Sequence, residues 1–491
     1  MKLSHSFLLQ ALPSCMVGVV QPLALSKISD LSVLPIHLRD FEECEVSIDT
    51  RTLQKGDIFL ALTGTQVDGH SYLAQAALNG ASALIIDESK RAMLEGINAK
   101  LLEQVLVITV ADTLQALISL AKAWRSLFSI PIVGVTGSIG KTSTKEMLRM
   151  ICNDAGIPAC ISRGNQNTVI GLCLNVLRIN QLHKVGVFEV GISERGEMAL
   201  KADILRPTCG VITSIAHAHA KFLGTLYDIA HEKKQLFAYF QPHEIGIIPG
   251  DLPVFNPLNF NHPVIRFGTK IKNQVQARKL QMTSRLDPAQ PTAFGMSELQ
   301  FMLKLYDQKV TVCMQNATPG MVHNALAATC VAHLLGIPLP LIVQSLGSYQ
   351  SFEGRFERRV MKNKRGILIH DSYNASPESM KNAIFAFQNL STPGKKIAVL
   401  GDMLELGEKE EFWHRQIGRL LCKAPSVERL ILVGNLAKAI AKTAPLTMKI
   451  DYAATWQQAQ ERLQEVLEDN SLILFKGSHA VGLSNIVAQL S

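Results

Sequence analysis

The sequence predicts an α/β protein made of three domains. Its 491 residues are enough for about three domains of roughly 100 to 200 residues each. Short apolar runs alternate with helical patterns in the first third of the chain, and four apolar runs recur in the last third. Between them, an apolar strand leads into a glycine turn and then a helix, which is the local order of a nucleotide-binding loop.

The first domain is predicted over residues 1–128. An apolar run at residues 57–62 precedes a helical pattern at 71–79 that ends at Gly80, and a second apolar run follows at 83–86. A further helical pattern covers residues 112–128. This alternation of strand and helix periods is typical of a small α/β domain.

The apolar segment at residues 7–25 has two interpretations. It resembles a secretory signal, but Gln10, Pro13, Gln21 and Pro22 interrupt it and only one lysine precedes it. We therefore expect it to form the first helix and strand of the domain. Elsewhere no stretch of about 18 apolar residues is uninterrupted, so the sequence predicts no membrane span.

The second domain is predicted over residues 129–350 and the third over residues 351–491. The second opens with a strand at 132–136, directly after Pro131. In the third, four apolar runs have the composition of buried parallel strands and lie at residues 367–369, 397–400, 430–433 and 472–475. Polar or glycine residues follow each run, namely His370 and Asp371, Gly401 and Asp402, Gly434 and Asn435, and Lys476 and Gly477. Ligands of open α/β sheets bind beyond the carboxyl ends of the strands, so we expect a nucleotide or substrate rim there.

The composition argues against several classes of protein. Hydrophobic residues make up 47% of the chain and charged residues 18%, which is outside the range of disordered proteins. The formal net charge of +8 is spread without basic runs, which disfavours nucleic-acid binding and suits small anionic substrates. Nine scattered cysteines without a Cys-x-x-Cys pair argue against a disulfide framework or a zinc site and favour the reducing cytoplasm.

Residues 134–142 carry the most specific motif, a strand followed by a glycine loop, Lys141, Thr142 and a helix. Backbone amides of such a loop bind phosphates, the lysine neutralises the β and γ oxygens, and the threonine hydroxyl can coordinate Mg²⁺. The first glycine of the usual pattern is replaced by Val135, so this is a variant loop with Gly137 inside it. The alternative is a glycine turn with an exposed lysine. A GTPase is disfavoured because no Asn-Lys-x-Asp motif occurs.

The wider stretch at residues 135–147 resembles the ATP loop of the Mur ligase family, and residues 144–147 resemble the branch that adds a dipeptide. Further motifs of the family follow in the expected order, at residues 164–168 with Gly171, 188–197, 231–237, 324–328, 354–355, 371–375, 400–407 and 476–478. Residues 47–51, 56–57 and 68–70 are similar to the family's UDP-sugar domain. The resemblance covers nearly the whole chain.

This resemblance implies a UDP-sugar-binding first domain, a central ATP-binding domain and a Rossmann-like third domain that binds the incoming dipeptide and closes over ATP. The implied reaction is the ATP-dependent addition of D-alanyl-D-alanine to UDP-N-acetylmuramoyl-tripeptide through an acyl phosphate, in peptidoglycan synthesis. The alternatives are a sibling ligase that adds one amino acid, folylpolyglutamate synthase, and, in a different class, a non-ligase P-loop ATPase. A cytoplasmic monomer that does not bind nucleic acid and does not insert stably into a membrane is expected.

The resemblance also implies the roles of individual residues. ATP would be bound by Gly137, Ser138, Gly140, Lys141, Thr142, Ser143, Asn324, Arg355 and Asp371. Magnesium would be held by Thr142, Glu189, His219 and Lys233, with Lys233 carrying a CO₂-derived carbamate. His217 competes with His219, and Lys234 with Lys233. Lys141, Lys233, His219 and Arg355 would be catalytic.

Two groups of residues are expected to bind the other substrates. The UDP-muramoyl peptide would contact Thr50, Arg51, Asp68 and His70, with Asn165, Asn167 and Thr168 near the peptide. The third-domain cleft for the dipeptide would be lined by Asn374, Asp402 and Lys476. Without the resemblance, a hairpin with ordinary turn chemistry is the favoured interpretation of these residues of the first domain.

Overall fold

A computed structural model describes residues 7–8, 11–12, 16–18, 44–217, 223–285, 296–362 and 366–491. These residues form two compact units. The first contains the described parts of Met1–Ile132, Pro158–Val190 and Ala199–Pro207, and the second those of Val133–Ile157, Gly191–Met198 and Thr208–Ser491.

The strands of the described residues are, in chain order, β1 (Met16–Gly18), β2 (Val46–Ser47), β3 (Ile58–Leu60), β4 (Ala83–Asp87), β5 (Leu106–Val110), β6 (Ile132–Thr136), β7 (Ala159–Ile161), β8 (Val185–Glu189), β9 (Cys209–Ile212), β10 (Ile245–Pro249), β11 (Val264–Gly268), β12 (Val275–Arg285), β13 (Met296–Leu305), β14 (Gln308–Gln315), β15 (Glu357–Val360), β16 (Gly366–His370), β17 (Lys396–Gly401), β18 (Arg429–Val433), β19 (Lys449–Ala453) and β20 (Ser471–Lys476).

The α-helices are α1 (Leu73–Leu78), α2 (Ala99–Leu102), α3 (Thr113–Ser126), α4 (Lys141–Asp154), α5 (Val169–Val176), α6 (Glu197–Leu205), α7 (Leu226–Lys234), α8 (Met321–Leu334), α9 (Leu339–Gly347), α10 (Pro377–Gln388), α11 (Glu410–Leu421), α12 (Lys438–Ala441), α13 (Trp456–Val466) and α14 (Leu483–Leu490). Among the described residues, no helix is both long and apolar enough to cross a membrane.

The first unit contains a five-stranded sheet in the order β1-β5-β4-β3-β2. Strands β2 to β5 are parallel, and β1 pairs antiparallel with β5. Strands β4 and β5 are apolar except for Asp87 and Thr109, and all of their residues but Asp87 are buried, as expected for a sheet covered on both faces. Strand β1 agrees with the expected N-terminal strand; the rest of residues 7–25 lies largely outside the described residues.

Helix α3 begins where the sequence predicts. The side chain of Asp112 accepts hydrogen bonds from the backbone N–H groups of Leu114 and Gln115, which satisfies donors that the first helical turn leaves unpaired. Near its other end, the buried indole N–H of Trp124 donates to the carbonyl of Ile179 at 2.9 Å. The first unit also contains the parallel pair β7 and β8, with α5 between them along the chain.

In the second unit, strands β6 and β9 to β14 follow the order β14-β13-β12-β11-β10-β9-β6. Pairing is parallel from β6 to β12 and antiparallel from β12 to β14. Helix α8 is buried at every residue from Asn324 to Ala332, which matches its lack of a polar face.

A second sheet of this unit has the order β15-β16-β20-β17-β18-β19. It is parallel from β16 to β19, and β15 pairs antiparallel with β16. The four predicted buried strands of the third domain are therefore confirmed as β16, β17, β18 and β20. The edge strands β15 and β19 were not predicted, because their polar residues, such as Arg358 and Asp451, break the apolar pattern of a buried strand.

Candidate active site

The phosphate loop leaves the carboxyl end of β6 and needs glycine at two positions. Gly137 has φ +150°, and a Cβ there would lie 2.0 Å from Thr213 Oγ1. Gly140 has φ +90°, and its Cβ would lie 2.1 Å from Asn324 Oδ1. The side chains of Thr213 and Asn324 therefore approach the loop backbone too closely for any residue but glycine at these two positions.

Side chains after β9 fix the shape of this loop. The backbone N–H of Ile139 donates to Ser214 Oγ at 2.8 Å, and Thr213 Oγ1 donates to the carbonyl of Ile139 at 2.6 Å. The Ser138 hydroxyl donates to the Ala216 carbonyl at 3.1 Å and accepts from the Ala216 N–H at 3.0 Å. The loop conformation is thus held from outside the loop.

Helix α4 begins at Lys141, so its first N–H groups lie where an anion would be bound. Lys141 Nζ donates to the carbonyl of Gly137 at 2.9 Å. Thr142 follows, and its Oγ1 lies 3.4 Å from Nη2 of Arg355, which comes from the third predicted domain. The structure therefore brings together four of the predicted ATP-binding residues, Gly140, Lys141, Thr142 and Arg355, and places Asn324 against Gly140.

Three of the four residues that pointed to the dipeptide-adding branch are fully buried. Thr144 and Lys145 are fully buried, as is Met147, and Lys145 Nζ lies 3.0 Å from Glu146 Oε1. These side chains face the packing side of α4, away from solvent, so their contribution is to place the helix.

Lys476 forms the centre of a second cluster at the carboxyl ends of β16 and β20. Its ammonium lies 2.9 Å from Asp371 Oδ2 and donates to the carbonyls of Asp371 and Asn374 at 3.2 and 3.1 Å. Lys476 is 1% exposed. Burial lowers the pKa of its ammonium, and the Asp371 carboxylate opposes this shift. The ammonium of Lys476 has three N–H donors, and the carboxylate and the two carbonyls supply one acceptor for each of them.

Asp402 and Asn374, which were also expected in the dipeptide cleft, make local hydrogen bonds. Asp402 accepts from the backbone N–H groups of Asn435 and Ala437 at 3.2 and 2.7 Å. Asn374 is exposed, and its Oδ1 accepts from the N–H of Ala375 at 2.8 Å. Asp402 thus shapes the turn after β18, while Asn374 is open to solvent.

Helix α7 distinguishes the two candidate lysines. Lys233 is 3% exposed, whereas Lys234 is half-buried with Nζ 5.4 Å from the centre of the Phe260 ring. Of the two candidate histidines, His219 lies outside the described residues. His217 Nδ1 lies 3.4 Å from Glu378 Oε1, and its ring centre lies 4.8 Å from that of Trp413.

In the first unit, Glu189 is the last residue of β8 and is 2% exposed. Its Oε1 accepts from Asn167 Nδ2 at 2.8 Å. Thr168 accepts from the N–H of Gly171 and caps α5, whereas Asn165 is exposed. The predicted residues Asn167 and Glu189 are therefore in contact, and the carboxylate is oriented by an amide.

Asp68 and His70 form a second cluster in the first unit. His70 is buried, its Nε2 accepts from the N–H of Asp87 at 3.0 Å, and its Nδ1 lies 2.7 Å from Asp68 Oδ1. The acceptor role of Nε2 places the proton on Nδ1, so the ring donates to Asp68. Lys90 also contacts Asp68 and holds the pKa of this carboxyl well below its usual range. The basic residue Lys90 was not predicted, because no local motif surrounds it.

Thr50 and Arg51 occupy an exposed turn. Arg51 Nη2 lies 2.6 Å from Asp49 Oδ2, and its side chain is 86% exposed. The hydrogen bond from Arg51 lowers the pKa of Asp49 to about 2. The carbonyl of Thr50 accepts from Asn79 Nδ2 at 2.7 Å, which ties the turn to the end of α1.

A ready-made metal cluster is not found within the described parts of the chain, where no group of three or more histidine, cysteine, aspartate or glutamate residues could hold an ion. The predicted ligand set is of a different composition. It relies on the hydroxyl of Thr142, a modified Lys233 and His219, with Glu189 as its one carboxylate.

Family comparisons define the class of protein. Models of the Mur ligase family match residues 45–125 (catalytic domain), 135–332 (middle domain) and 354–479 (glutamate ligase domain). The chain belongs to the Mur ligase family.

Individual relatives identify the branch. The chain is 32% identical to the UDP-N-acetylmuramoyl-tripeptide–D-alanyl-D-alanine ligase of Bacillus subtilis over 91% of this chain and 92% of that protein. It is also 32% identical to the ligase of the same name from Synechocystis, over 91% of both chains.

Solved structures agree. The MurF of Acinetobacter baumannii superimposes with a TM-score of 0.79 at 26% identity, covering 99% of this chain and 98% of that one. MurF from Thermotoga maritima in complex with ADP gives a TM-score of 0.75 at 25% identity, covering 93% and 98%. The predicted three-domain α/β class is confirmed by these similarities over the full length.

Proposed function

We propose that this chain is the ligase that adds D-alanyl-D-alanine to UDP-N-acetylmuramoyl-tripeptide, with ATP converted to ADP and phosphate and UDP-N-acetylmuramoyl-pentapeptide as product. The observation that carries the chemistry is the approach of Arg355 to Thr142 at the start of α4. It places a second fixed cation beside the phosphate loop. The substrates are those named for the relatives at 32% identity.

The proposed reaction needs positive charge at this position. The tripeptide carboxylate attacks the γ-phosphorus of ATP, ADP leaves, and an acyl phosphate forms. The dipeptide amine then attacks the acyl carbon, phosphate leaves, and the amine loses a proton. Lys141 and Arg355 would stabilise the oxygens of the transferred phosphoryl group, because such transfers depend mainly on electrostatic stabilisation and positioning.

The remaining ATP contacts are assigned by position. Ser138, Gly140 and Ser143 belong to the loop and the first turn of α4, where backbone N–H groups bind phosphates. Asn324, which lies against Gly140, would contact the adenine, as the resemblance to the family implies. Asp371 would contact the ribose or act at the hinge.

We propose that magnesium is bound by the residues that were predicted to bind it. The buried Glu189 carboxylate is oriented by Asn167, and Thr142 has the position that coordinates Mg²⁺ in phosphate loops. Together with His219 and a carbamate on Lys233, they would hold an ion that neutralises phosphate oxygens. The burial of Lys233 at 3% exposure supports the carbamate, because a buried ammonium beside a cation is unfavourable.

Three domains with boundaries near residues 128 and 350 would divide these tasks. The first domain would bind the UDP-muramoyl end through Thr50, Arg51, Asp68 and His70. Three residues of the second domain would contribute to the same substrate, namely Asn165, Asn167 and Thr168. In the third, Asn374 would face the dipeptide, while Lys476 and Asp402 shape its cleft by the hydrogen bonds described above. We propose a monomer in the cytoplasm, where ATP is available.

Product analysis in a competition of amines tests this function. Purified protein is incubated with ATP, Mg²⁺ and UDP-N-acetylmuramoyl-tripeptide, together with equal concentrations of D-alanyl-D-alanine, meso-diaminopimelate, lysine and glutamate. Mass spectrometry should show the pentapeptide as the dominant product, with ADP formed in equal amount.

Parallel reactions identify the alternatives. Preferred ligation of one amino acid to UDP-N-acetylmuramoyl-dipeptide would assign the chain to a sibling ligase, and ligation of glutamate to a folate would assign it to folylpolyglutamate synthase. Phosphate release that needs neither acceptor nor amine would support a non-ligase ATPase.

A further inference from the structure

The guanidinium of Arg355, which approaches the phosphate loop, lies over the ring of Tyr373. Arg355 Cζ lies 3.9 Å from the centre of the Tyr373 ring, well inside the distance of about 6 Å at which a cation and an aromatic face attract each other. The same guanidinium has Nη2 3.4 Å from Thr142 Oγ1. The Arg355 guanidinium therefore contacts the Tyr373 ring and the phosphate loop at the same time.

The backbone on both sides of Arg355 has left-handed φ angles. Gly354 has φ +70° and Phe356 φ +58°, the left-handed region that a bulky residue such as phenylalanine rarely adopts. The N–H of Phe356 donates to Asp371 Oδ1 at 3.2 Å, and the N–H of Tyr373 donates to the carbonyl of Gly354 at 3.3 Å. A Cβ on Gly354 would lie 3.1 Å from Tyr373 Cβ, so the two segments are in close contact.

The segment that contains Tyr373 is held in place by hydrogen bonds from Lys476. Lys476 donates to the carbonyls of Asp371 and Asn374, on either side of Tyr373. Because Lys476 is buried at the end of β20, the sheet determines where the tyrosine ring stands. A rigid ring at this distance restricts the plane of the guanidinium.

We propose that Tyr373 is a positioning residue, which holds the Arg355 guanidinium with its edge directed at the phosphate loop. This inference rests on the proposed role of Arg355 in phosphoryl transfer. All five donors of a guanidinium lie in its plane, so stacking on one face leaves the edge donors able to bind Thr142 and phosphate oxygens. An ammonium has no such plane, which explains why arginine rather than lysine suits this position.

Substitutions of Tyr373 test the proposal through kinetics. Tyr373→Leu removes the aromatic face but keeps an apolar side chain, and we expect kcat to fall about tenfold. The dissociation constant for ATP, measured by calorimetry, should change by less than about threefold, because a positioning effect acts mainly on the transition state. Tyr373→Phe keeps the face and should stay within about twofold of wild type. Tyr452→Leu, at an exposed tyrosine of β19, is the matched control and should be silent.

A double-mutant cycle with Arg355 separates this role from a general structural one. In an Arg355→Ala background, Tyr373→Leu should cause no further loss of kcat, since its effect acts through the guanidinium. An undiminished loss in that background, or a Tyr373→Phe variant as slow as Tyr373→Leu, would overturn the proposal. Full activity of Arg355→Ala would instead contradict the proposed function of Arg355. Thermal unfolding of each variant verifies that it is folded.

Discussion

The phosphate loop and the segment at residues 371–374 both follow the carboxyl end of a buried strand, but they are held in opposite ways. The phosphate loop is held by Thr213 and Ser214, which lie outside it. The segment at residues 371–374 is held by a lysine, since Lys476 bonds to two of its carbonyls and to the Asp371 carboxylate. Lys141, at the start of α4, is thus predicted to serve chemistry, whereas Lys476, at the end of β20, fixes the backbone of a neighbouring segment.

Lys141→Ala should give the largest effect and tests the first half of this comparison. Because Thr213 and Ser214 hold the loop, the variant should keep its fold and its melting temperature. Without the cation at the β and γ oxygens, ligation should fall by at least about 100-fold. Steady-state turnover measures the loss, with Lys184→Ala at an exposed position as control. Retention of more than about a tenth of wild-type turnover would remove Lys141 from the mechanism.

The adjacent lysines of α7 provide the next test. Lys233→Ala should lose nearly all activity while the protein stays folded, because the buried carbamate ligand is absent, and acetate or formate should restore part of it. Lys234→Ala should be nearly silent, since this side chain is half-buried beside Phe260. After incubation with ¹³C-bicarbonate, wild type and Lys234→Ala should both show a carbamate carbon signal that Lys233→Ala lacks. Full activity of Lys233→Ala would refute the role.

Strands and loops with local signals were predictable from the sequence, whereas contacts between distant residues were not. The phosphate loop was predicted because its glycines, lysine and helix are consecutive. The burial of Lys233 rather than Lys234 could not be derived from spacing, since adjacent residues on a helix differ only in which neighbours they face. The motif around Asp371 and Lys476 was found, but its internal hydrogen bonds were not, because they join residues 105 positions apart.

Lys476→Met tests the second half of the comparison and should affect stability more than chemistry. It leaves the partly buried Asp371 carboxylate without its partner, a loss of about 3 to 5 kcal/mol when a buried ion pair is broken. Hydrogen exchange in β16 and β20 should accelerate accordingly. Adding Asp371→Asn should recover part of the loss, because no charge then remains unpaired.

Lys395→Met is the matched control for that experiment. Its ion pair with Glu468 is about half exposed on both sides, so its loss should cost less than about 1 kcal/mol. Equal effects at Lys395 and Lys476 would show that Lys476 does not hold the segment at residues 371–374.

The smallest expected effect concerns the ion pair of Asp68 with Lys90 in the first unit, where a loop is again held by a lysine but near the surface. Lys90 lowers the pKa of Asp68, so the carboxylate stabilises the fold at pH values above its unfolded pKa of about 3.9 and this contribution is lost as pH falls through the lower folded pKa.

Asp68→Asn keeps an acceptor for His70 but removes the charge. Because the two side chains are 32% and 26% exposed, the difference from wild type at pH 7 should be at most about 1 kcal/mol. Thermal unfolding from pH 7 to pH 2 should show this difference shrinking below about pH 4, and Lys90→Met should behave in the same way. A difference that grows in acid would mean that the uncharged Asp68 is the stabilising form, and the loop would then depend on the hydrogen bond to His70 instead of on the lysine.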